Sequence, residues 1–215
     1  MSALDLSLYL VTDTRQCGAR GVPAVVAQAV AGGVTTVQVR DHGASAAELV
    51  SLVVAVAAVL DERTTLIVDD RVDVVLAARH AGARVDGVHV GQSDLPAAAA
   101  RSILGLDAVI GLTADTPAHL EAAHALPPGT VDYLGVGVIR PTATKADHPA
   151  PLGLEGFAAF AAASRYPCVA IGGVALSDAA PLRHRGAAGL AVVSAICTAE
   201  DPAVAARAFR EEWDR

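Results

Sequence analysis

Lysine is almost absent from this chain of 215 residues. A single lysine, Lys145, stands against 15 arginines, and it ends the segment Pro141-Thr142-Ala143-Thr144-Lys145. A retained lysine in such a chain indicates a position that needs a compact ammonium on a flexible stem, which a planar guanidinium cannot replace. Because two threonine hydroxyls precede it, we predict that Lys145 binds a phosphate group. An exposed loop lysine with no ligand is the alternative.

Aromatic residues are also scarce, at 3% of the chain, although 53% of the residues are hydrophobic. The core must therefore consist of Val, Ala, Leu and Ile, which is typical of parallel strands buried on both faces. The apolar stretch Leu49–Leu60 is too short to span a bilayer, so we predict a buried helix there and no membrane partner. No basic stretch followed by an apolar run opens the sequence, so we expect no signal peptide.

Positive charge is in deficit, with a net charge of −7. This sign disfavours a nucleic-acid partner, so an anionic ligand would have to bind at a local cationic site. Cysteine is rare as well: Cys17, Cys168 and Cys197 are odd in number and show no CxxC spacing. That usage predicts a reducing, cytoplasmic location without a disulfide framework.

Short Val-rich runs alternate with longer Ala-rich runs along the chain. The predicted strands are Leu8–Thr12, Thr35–Arg40, Thr65–Asp69, Gly87–Gly91, Ala108–Thr113, Tyr133–Ile139, Cys168–Gly172 and Leu190–Ser194. The predicted helices are Val22–Ala31, Ser45–Leu60, Val72–Ala81, Leu95–Leu104, Pro117–Leu126, Leu154–Arg165, Ser177–Arg185 and Pro202–Trp213. Eight strand–helix units without a linker predict an α/β fold, a single (β/α)8 TIM barrel over residues 1–215. A doubly wound open sheet is the alternative, disfavoured because no GxGxxG motif follows the first strand.

In such a barrel the functional residues follow the carboxyl ends of the strands. The second strand ends with Gln38 and Arg40, which point to the same side, and His42 lies just beyond. An amide and a guanidinium that converge on the barrel mouth are suited to an oxyanion or a phosphate. An arginine paired with a neighbouring acid is the alternative reading.

Carboxylates follow the third and fourth strands, at Asp69, Asp70 and Asp94. Two carboxylates, with waters and substrate phosphates, form the usual protein site for Mg²⁺, so Asp70 and Asp94 are candidate metal ligands. Asp94 could instead cap the helix predicted from Leu95. His89, inside the fourth strand, is more typical of a hydrogen-bonded core side chain than of a ligand.

The remaining strands end in hydroxyl-bearing residues and glycines. These are Thr113 after the fifth strand, Thr142, Thr144 and Lys145 after the sixth, Gly172-Gly173 after the seventh and Val193-Ser194 after the eighth. Thr113 could equally cap a helix, and the glycine pair could form only a tight turn. Strands seven and eight bind a phosphate in many barrels. The sequence therefore predicts a metal-bound polyphosphate near Arg40 and Lys145 and a separate monophosphate, the pattern of an enzyme that joins two phosphorylated molecules.

A set of short motifs covers nearly the whole chain and is specific in combination. The motifs are YLVTD (9–13), GGVTTVQVRD (32–41), LIVDDRVD (66–73), GVHVGQSDLP (87–96), DYLGVG (132–137), PTATK (141–145), PLGLEG (151–156), AIGGV (170–174) and AVVSAI (191–196). With them the sequence resembles the thiamine-phosphate synthase family. The resemblance implies a (β/α)8 barrel that joins hydroxymethylpyrimidine diphosphate to hydroxyethylthiazole phosphate, giving thiamine phosphate and pyrophosphate.

The resemblance also implies roles for individual residues. It assigns catalytic roles to Arg40, Lys145 and Thr113, and it assigns Mg²⁺ binding to Asp70 and Asp94. The substrate-binding residues that it implies are Gln38, His42, Asp69, Thr142, Thr144, Gly173, Val193 and Ser194. The aminopyrimidine can stabilise a benzylic-type cation, so the C–O bond can break first and no protein nucleophile is required. A homodimer is compatible with the sequence, which does not fix the oligomeric state.

Four positions depart from the family pattern. His42 replaces the usual Lys, Asp69 replaces the usual Asn, and Val138 and Arg140 stand where Pro and an aromatic residue are usual. The first two changes should weaken diphosphate binding, and Arg140 is a candidate to restore one positive charge. They also leave two alternative functions open: a thiazole tautomerase, which would need no diphosphate site, and a non-catalytic protein that binds thiamine precursors.

Overall fold

The computed structural model describes residues 4–142 and 150–215 and contains a closed barrel of parallel strands. The strands are β1 (Leu8–Val11), β2 (Thr36–Val39), β3 (Thr65–Asp69), β4 (Gly87–Val90), β5 (Val109–Thr113), β6 (Tyr133–Gly137), β7 (Cys168–Ile171) and β8 (Gly189–Val192). Each strand pairs with the next along the chain, and β8 pairs with β1 through Leu8 and Leu190. The predicted barrel is confirmed, and the open sheet is wrong because β1 and β8 leave no edge.

Helices connect the strands within the described ranges. They are α1 (Thr14–Cys17), α2 (Val22–Ala31), α3 (Ala46–Ala57), α4 (Val72–His80), α5 (Ala97–Leu104), α6 (Pro117–Ala125), α7 (Gly153–Ala163), α8 (Ala179–His184), α9 (Ser194–Cys197) and α10 (Pro202–Trp213). Short 3-10 helices cover Gly18–Arg20 and Leu176–Asp178. No helix in this described part of the chain has both the length and the apolar content to cross a membrane.

Local sequence signals explain several helix starts. Ser45 and Glu48 form a reciprocal capping box at α3, so that helix begins one residue later than predicted. At α10, the Asp201 carboxylate accepts hydrogen bonds from the first-turn backbone N–H groups. Helix α5 begins at Ala97 and not at Leu95, because Pro96 occupies the cap position in an extended conformation.

Two helices, α1 and α9, were not predicted from the sequence. Each has four residues, too few to show helical periodicity. The start of α9 at Ser194 also explains why β8 ends at Val192, two residues before the predicted end. The turn from β8 into α9 therefore lies at the barrel mouth.

Alternate residues of each strand face two separate apolar layers. Leu8 and Leu10 of β1 pack outward under the helices, whereas Tyr9 and Val11 face the barrel interior. Tyr133 of β6 also lies inside and is fully buried. A buried tyrosine needs a hydrogen-bond partner for its hydroxyl, so the interior of this barrel is partly polar.

Candidate active site

A cavity of about 170 Å³ opens at the carboxyl ends of the strands. Among its lining residues are eight that the sequence predicted, namely Gln38, Arg40, Asp69, Thr113, Thr142, Gly173, Val193 and Ser194. The structure thus brings together predicted residues from β2, β3 and β5 and from the segments after β2, β6, β7 and β8. Thr144 and Lys145 lie outside the described residues, so their roles stay predictions.

A second cavity, of about 230 Å³, lies beside the first and is lined mainly by charged residues. Asp70 and Asp94 both face it, together with His42, and Asp69 borders both cavities. Asp94 does not cap α5, because its Oδ2 accepts a hydrogen bond from the N–H of Gly91 at 2.9 Å. The two predicted metal ligands therefore share one cavity, while metal binding itself stays a prediction.

Asp69 lies between two basic side chains. Its Oδ2 is 3.3 Å from Arg40 Nε and 3.5 Å from His42 Nε2. The structure therefore agrees with the alternative reading of Arg40 as the partner of a neighbouring acid. The negative charge of Asp69 offsets part of the positive charge that Arg40 brings to the mouth.

The donor set of the second cavity fits a divalent cation. His42, Asp69 and Asp70 can each place one ligand atom so that all three lie within 4.8 Å of one another. Carboxylate oxygens are the ligands that Mg²⁺ prefers, whereas imidazole nitrogen is more typical of transition metals. Arg71 does not compete for these acids, because its guanidinium makes a bidentate contact with Asp73 at 2.8 and 2.6 Å.

The backbone of Asp70 has an uncommon conformation. Its φ is 58°, the one positive value among the described residues other than glycine. Aspartate tolerates this left-handed region better than most residues do. The N–H of Asp70 donates to the carbonyl oxygen of His89 at 2.8 Å, which anchors the turn after β3 to β4.

A chain of hydrogen bonds crosses the barrel interior beneath the first cavity. Gln38 Nε2 donates to Tyr9 Oη at 2.7 Å, and the hydroxyls of Tyr9 and Tyr133 are 2.9 Å apart. His89 then contacts Tyr133 Oη through Nδ1 and Thr113 Oγ1 through Nε2, each at 2.9 Å. Both ring nitrogens of His89 therefore have partners, as predicted for a core histidine, although the ring also borders the cavity.

Burial raises the pKa of Tyr9 and of Tyr133 above the ordinary value for tyrosine. The negative charge of Asp69 acts in the same direction on both groups, but more weakly. Both phenols consequently keep their protons at neutral pH. Both tyrosine hydroxyls of the interior chain can therefore donate a hydrogen bond at neutral pH.

Two glycines make room for this chain. A Cβ at Gly111 would overlap the Tyr133 ring and the Nδ1 of His89, and a Cβ at Gly135 would lie 3.0 Å from His89 Cε1. Glycine inside a strand weakens the strand but permits close approach of another group. The sequence of β5 and β6 therefore reserves space for one imidazole and one phenol.

The turn after β7 is built from glycines in the left-handed region. Gly172 and Gly173 have φ values of 88° and 67°. A Cβ at Gly173 would lie 2.7 Å from the carbonyl oxygen of Arg140, and one at Gly172 would overlap Val138. The pair forms a tight turn, as the alternative reading predicted, and it also lines the first cavity, while phosphate binding stays a prediction.

The Arg140 side chain pairs with Asp178 and does not line the first cavity. Its Nε and Nη2 contact the two carboxylate oxygens of Asp178 at 2.8 and 2.6 Å. The Asp178 side chain is 2% exposed, and Oδ2 also accepts the N–H of Ala175. The Arg140 guanidinium holds the pKa of Asp178 below its usual range. The pair connects the segment after β6 to the segment after β7, and no described contact links Arg140 to the acids around Arg40.

The sequence analysis missed the two tyrosines of this site, Tyr9 and Tyr133. The available signal was a tyrosine hydroxyl at an inward-facing strand position, which requires a polar partner inside the barrel. Asp115, which lines the cavity after β5, was also missed; its Oδ1 is 2.6 Å from His119 Nδ1.

Comparison with known proteins agrees with this geometry. A family model described as thiamine monophosphate synthase matches residues 8–196. A thiamine-phosphate synthase of Psychrobacter sp. (strain PRwf-1) is 43% identical over 205 residues, covering 95% of this chain and 94% of that protein. One of Corynebacterium efficiens is 46% identical over 205 residues, covering 94% and 93%. The solved thiamine phosphate pyrophosphorylase of Pyrococcus furiosus is 30% identical, with a TM-score of 0.84 and coverage of 98% and 96%.

Proposed function

The chain belongs to the thiamine monophosphate synthase family, and from that premise we propose the following reaction. The enzyme joins 4-amino-5-hydroxymethyl-2-methylpyrimidine diphosphate to hydroxyethylthiazole phosphate and releases thiamine phosphate and pyrophosphate. One observation carries this proposal. The second cavity, which is lined by carboxylates, adjoins the first cavity, which extends from Arg40 to Gly173 and Ser194. This arrangement offers a charged site for a metal-bound diphosphate and a separate site for a monophosphate.

The diphosphate is bound between β2 and the segment after β6 in this proposal. Gln38 supplies an amide, Arg40 supplies a guanidinium, and Lys145 supplies the ammonium predicted from the sequence. Binding of the diphosphate gives Arg40 a second anion beside Asp69, at 3.3 Å in the present structure. A charge-assisted hydrogen bond to phosphate is stronger than a neutral one, so these residues favour the pyrophosphate as its negative charge develops.

Asp70 and Asp94 are the proposed ligands of Mg²⁺, with Asp69 and His42 close enough to contact the ion or its waters. When bound, the ion supplies positive charge that neutralises the diphosphate and fixes its orientation. The left-handed turn at Asp70 directs its carboxylate, and the contact with Gly91 N–H holds Asp94 in place.

The thiazole phosphate is bound against the segments after β6, β7 and β8. Thr142 faces the cavity there, and Thr144 is a further proposed contact. Gly173, Val193 and Ser194 line the part of the cavity that we assign to the phosphate group. The tight turn at Gly173 allows backbone N–H groups to approach an anion closely, and Ser194 adds a hydroxyl donor.

The chain carries out the reaction by positioning and charge stabilisation. The C–O bond to the diphosphate breaks, and the thiazole nitrogen then forms the new C–N bond with the pyrimidine carbon. The protein holds the thiazole nitrogen in line, which replaces a bimolecular encounter by a local one. Arg40, Lys145 and Thr113 stabilise the departing diphosphate, so no covalent intermediate with the protein is needed.

The test is an assay with both substrates and Mg²⁺, in which thiamine phosphate and pyrophosphate are quantified separately. We expect equal amounts of the two products. Isomerisation of the thiazole phosphate alone would support a tautomerase, and saturable binding without products would support a non-catalytic binder. Removal of Mg²⁺ with a chelator should abolish formation of both products.

Location and assembly complete the proposal. Cys17, Cys168 and Cys197 are free and buried, which supports a reducing, cytoplasmic environment. The partners are small phosphorylated molecules, and the net charge of −7 argues against nucleic acid. Light scattering at several protein concentrations tests whether the chain forms a homodimer.

A further inference from the structure

The hydrogen-bonded chain inside the barrel ends at the candidate active site. It runs in the order Gln38, Tyr9, Tyr133, His89 and Thr113. We propose that this chain has one fixed direction, which makes Thr113 a hydrogen-bond donor to the departing diphosphate. The identity of that anion rests on the proposed function, whereas the direction of the chain rests on the interior contacts alone. Tyr9, Tyr133 and His89 are positioning residues in this view.

The direction is set at Gln38. Its Nε2 carries hydrogens and no lone pair, so it donates to Tyr9 Oη at 2.7 Å. Tyr9 has a single hydroxyl hydrogen, and the Tyr133 hydroxyl is its acceptor at 2.9 Å. If Tyr133 donated to Tyr9 instead, the Tyr9 hydrogen would lack an acceptor in the described part of the chain. Such an unsatisfied buried hydroxyl is unfavourable.

The same reasoning determines the tautomer of His89. Tyr133 has given its oxygen to Tyr9 as an acceptor, so its hydrogen points to His89 Nδ1 at 2.9 Å. Because Nδ1 then accepts, the neutral imidazole carries its hydrogen on Nε2. That hydrogen is donated to Thr113 Oγ1 at 2.9 Å.

The result is an oriented hydroxyl at the cavity wall. The oxygen of Thr113 is engaged as an acceptor, so its own hydrogen is available to a ligand in the cavity that Thr113 lines. If the chain ran in the opposite direction, Thr113 would donate to His89 and present only lone pairs to the cavity. Lone pairs repel an anion and a hydroxyl hydrogen attracts it, so the direction decides whether Thr113 assists departure of the diphosphate.

Two further features support a chain arranged for this purpose. The pKa values of Tyr9 and Tyr133 are raised by burial, so neither phenol loses the hydrogen that the chain requires. Gly111 and Gly135 leave space that an alanine would fill, which lets His89 contact Tyr133 and Thr113 at the same time.

Nitrogen-15 NMR of the histidine rings in the free protein tests the direction. The protein has seven histidines, and a His89→Gln variant identifies the signals of His89 by their loss. We expect His89 to carry its hydrogen on Nε2 in the wild-type protein. A hydrogen on Nδ1, or a doubly protonated ring at neutral pH, would overturn the proposal.

Removal of the Tyr133 hydroxyl tests how the tautomer is enforced. Tyr133→Phe deletes the donor to Nδ1, so we expect a mixture of His89 tautomers. Tyr166→Phe is the matched control, because its hydroxyl donates to the carbonyl oxygen of Ala123 outside the barrel. The control should leave the His89 signals unchanged. An unchanged tautomer in Tyr133→Phe would show that Tyr133 does not set it.

Affinity for inorganic pyrophosphate in the presence of Mg²⁺ tests the effect on the anion and needs no turnover. We expect Thr113→Val to weaken binding about tenfold, and Tyr133→Phe to weaken it about three- to tenfold. The double variant should bind no more weakly than Thr113→Val alone, because Tyr133 acts through Thr113. Additive losses would overturn this half of the proposal, as would unchanged affinity in both single variants.

Kinetics connect the chain to the proposed reaction. We expect kcat to fall about 100-fold in Thr113→Val and about tenfold in Tyr133→Phe, with the KM for the thiazole phosphate changed less than about twofold. Thr113→Ser, which keeps the hydroxyl, should retain most of the activity. A wild-type protein without turnover would contradict the proposed function, while the NMR and pyrophosphate results would still decide the direction of the chain.

Discussion

The two sides of the barrel mouth are built from different parts of the chain. The acidic side, formed by Arg40, His42, Asp69, Asp70 and Asp94, presents charged side chains to its cavity. The glycine side, formed by Gly172, Gly173, Val193 and Ser194, presents mainly backbone and small groups. Side-chain charge acts over several ångströms, whereas a backbone surface acts only through close fit.

This difference indicates how each side responds to substitution. On the acidic side, the Asp69 carboxylate is accommodated between two basic groups, Arg40 and His42. On the glycine side, even one added carbon meets the backbone of Arg140 or the side chain of Val138. We therefore expect graded effects of charge on the first side and steric failure on the second.

The largest effect should come from the acidic side, with Asp70→Asn. Asparagine tolerates the φ of 58° at this position, so the change removes a charge while keeping the turn. We expect kcat/KM to fall on the order of 1000-fold, since metal-assisted charge stabilisation is lost. Steady-state kinetics and calorimetric Mg²⁺ titration measure this.

Asp107→Asn is the control for that variant, because Asp107 is exposed and lines neither cavity. It should leave Mg²⁺ affinity unchanged. If Asp70→Asn kept activity within tenfold of the wild type, Asp70 would not be a metal ligand.

The next effect concerns the glycine side, with Gly173→Ala. The added Cβ would lie 2.7 Å from the Arg140 carbonyl oxygen, and the residue has a φ of 67°. We expect the KM for hydroxyethylthiazole phosphate to rise tenfold or more and the free energy of unfolding to fall by about 1–2 kcal/mol. Kinetics and urea denaturation provide the two measurements.

Gly129→Ala separates strain from contact in this experiment. Gly129 has a φ of 78°, but a Cβ there meets no atom within 4 Å. It should lose similar stability with an unchanged KM. Equal KM changes in both variants would argue against a phosphate site at Gly173.

A smaller effect on function is expected at Arg140, which joins the segment after β6 to the segment after β7 through Asp178. Arg140→Ala leaves a buried carboxylate with the N–H of Ala175 as its remaining described donor. We expect the free energy of unfolding at pH 7 to fall, with the KM for the diphosphate unchanged. A raised KM would restore the hypothesis that Arg140 supplies charge to the substrate.

The pH dependence gives a second test of this pair. The pKa of Asp178 is lowered in the folded state, so its stabilisation is present above the ordinary aspartate range and is lost as pH falls through the lowered value. The stability difference between wild type and Arg140→Ala should therefore shrink between about pH 5 and pH 2. Arg185→Ala, which removes an exposed pair with Glu155, should show little difference at any pH.

The smallest effect should come from Asp69→Asn, and its sign is opposite. The change removes the carboxylate that lies 3.3 Å from Arg40 and 3.5 Å from His42. We expect the KM for the diphosphate to fall about threefold, more at low than at high salt. A raised KM would instead assign Asp69 to the metal.

The sequence predicted the barrel well because its strands are continuous Val-rich runs and each strand pairs with its neighbour in order. The convergence of Gln38, Arg40 and Thr113 followed from the same rule, since parallel strands end at one rim. Local patterns of this kind do not depend on distant partners.

Long-range contacts were not predictable in this way. Tyr9 and Tyr133 are separated by 124 residues, and their hydroxyl contact depends on the final closure of the barrel. The pairing of Arg140 with Asp178 is likewise decided by how two loops meet, so the charge of Arg140 was predictable but its partner was not. The left-handed φ of Asp70 is a third case, because aspartate is compatible with several turn geometries.

The glycines Gly111 in β5 and Gly135 in β6 restrict which substitutions the sequence can accept. An alanine at Gly111 collides with the rings of both Tyr133 and His89, so it becomes acceptable only after one of those rings has shrunk. Positions 89, 111 and 133 should therefore change together among related chains, and substitution at one of them should be rescued by a second substitution at another. The space inside the barrel is therefore shared by positions 89, 111 and 133, which we expect to evolve together and not one residue at a time.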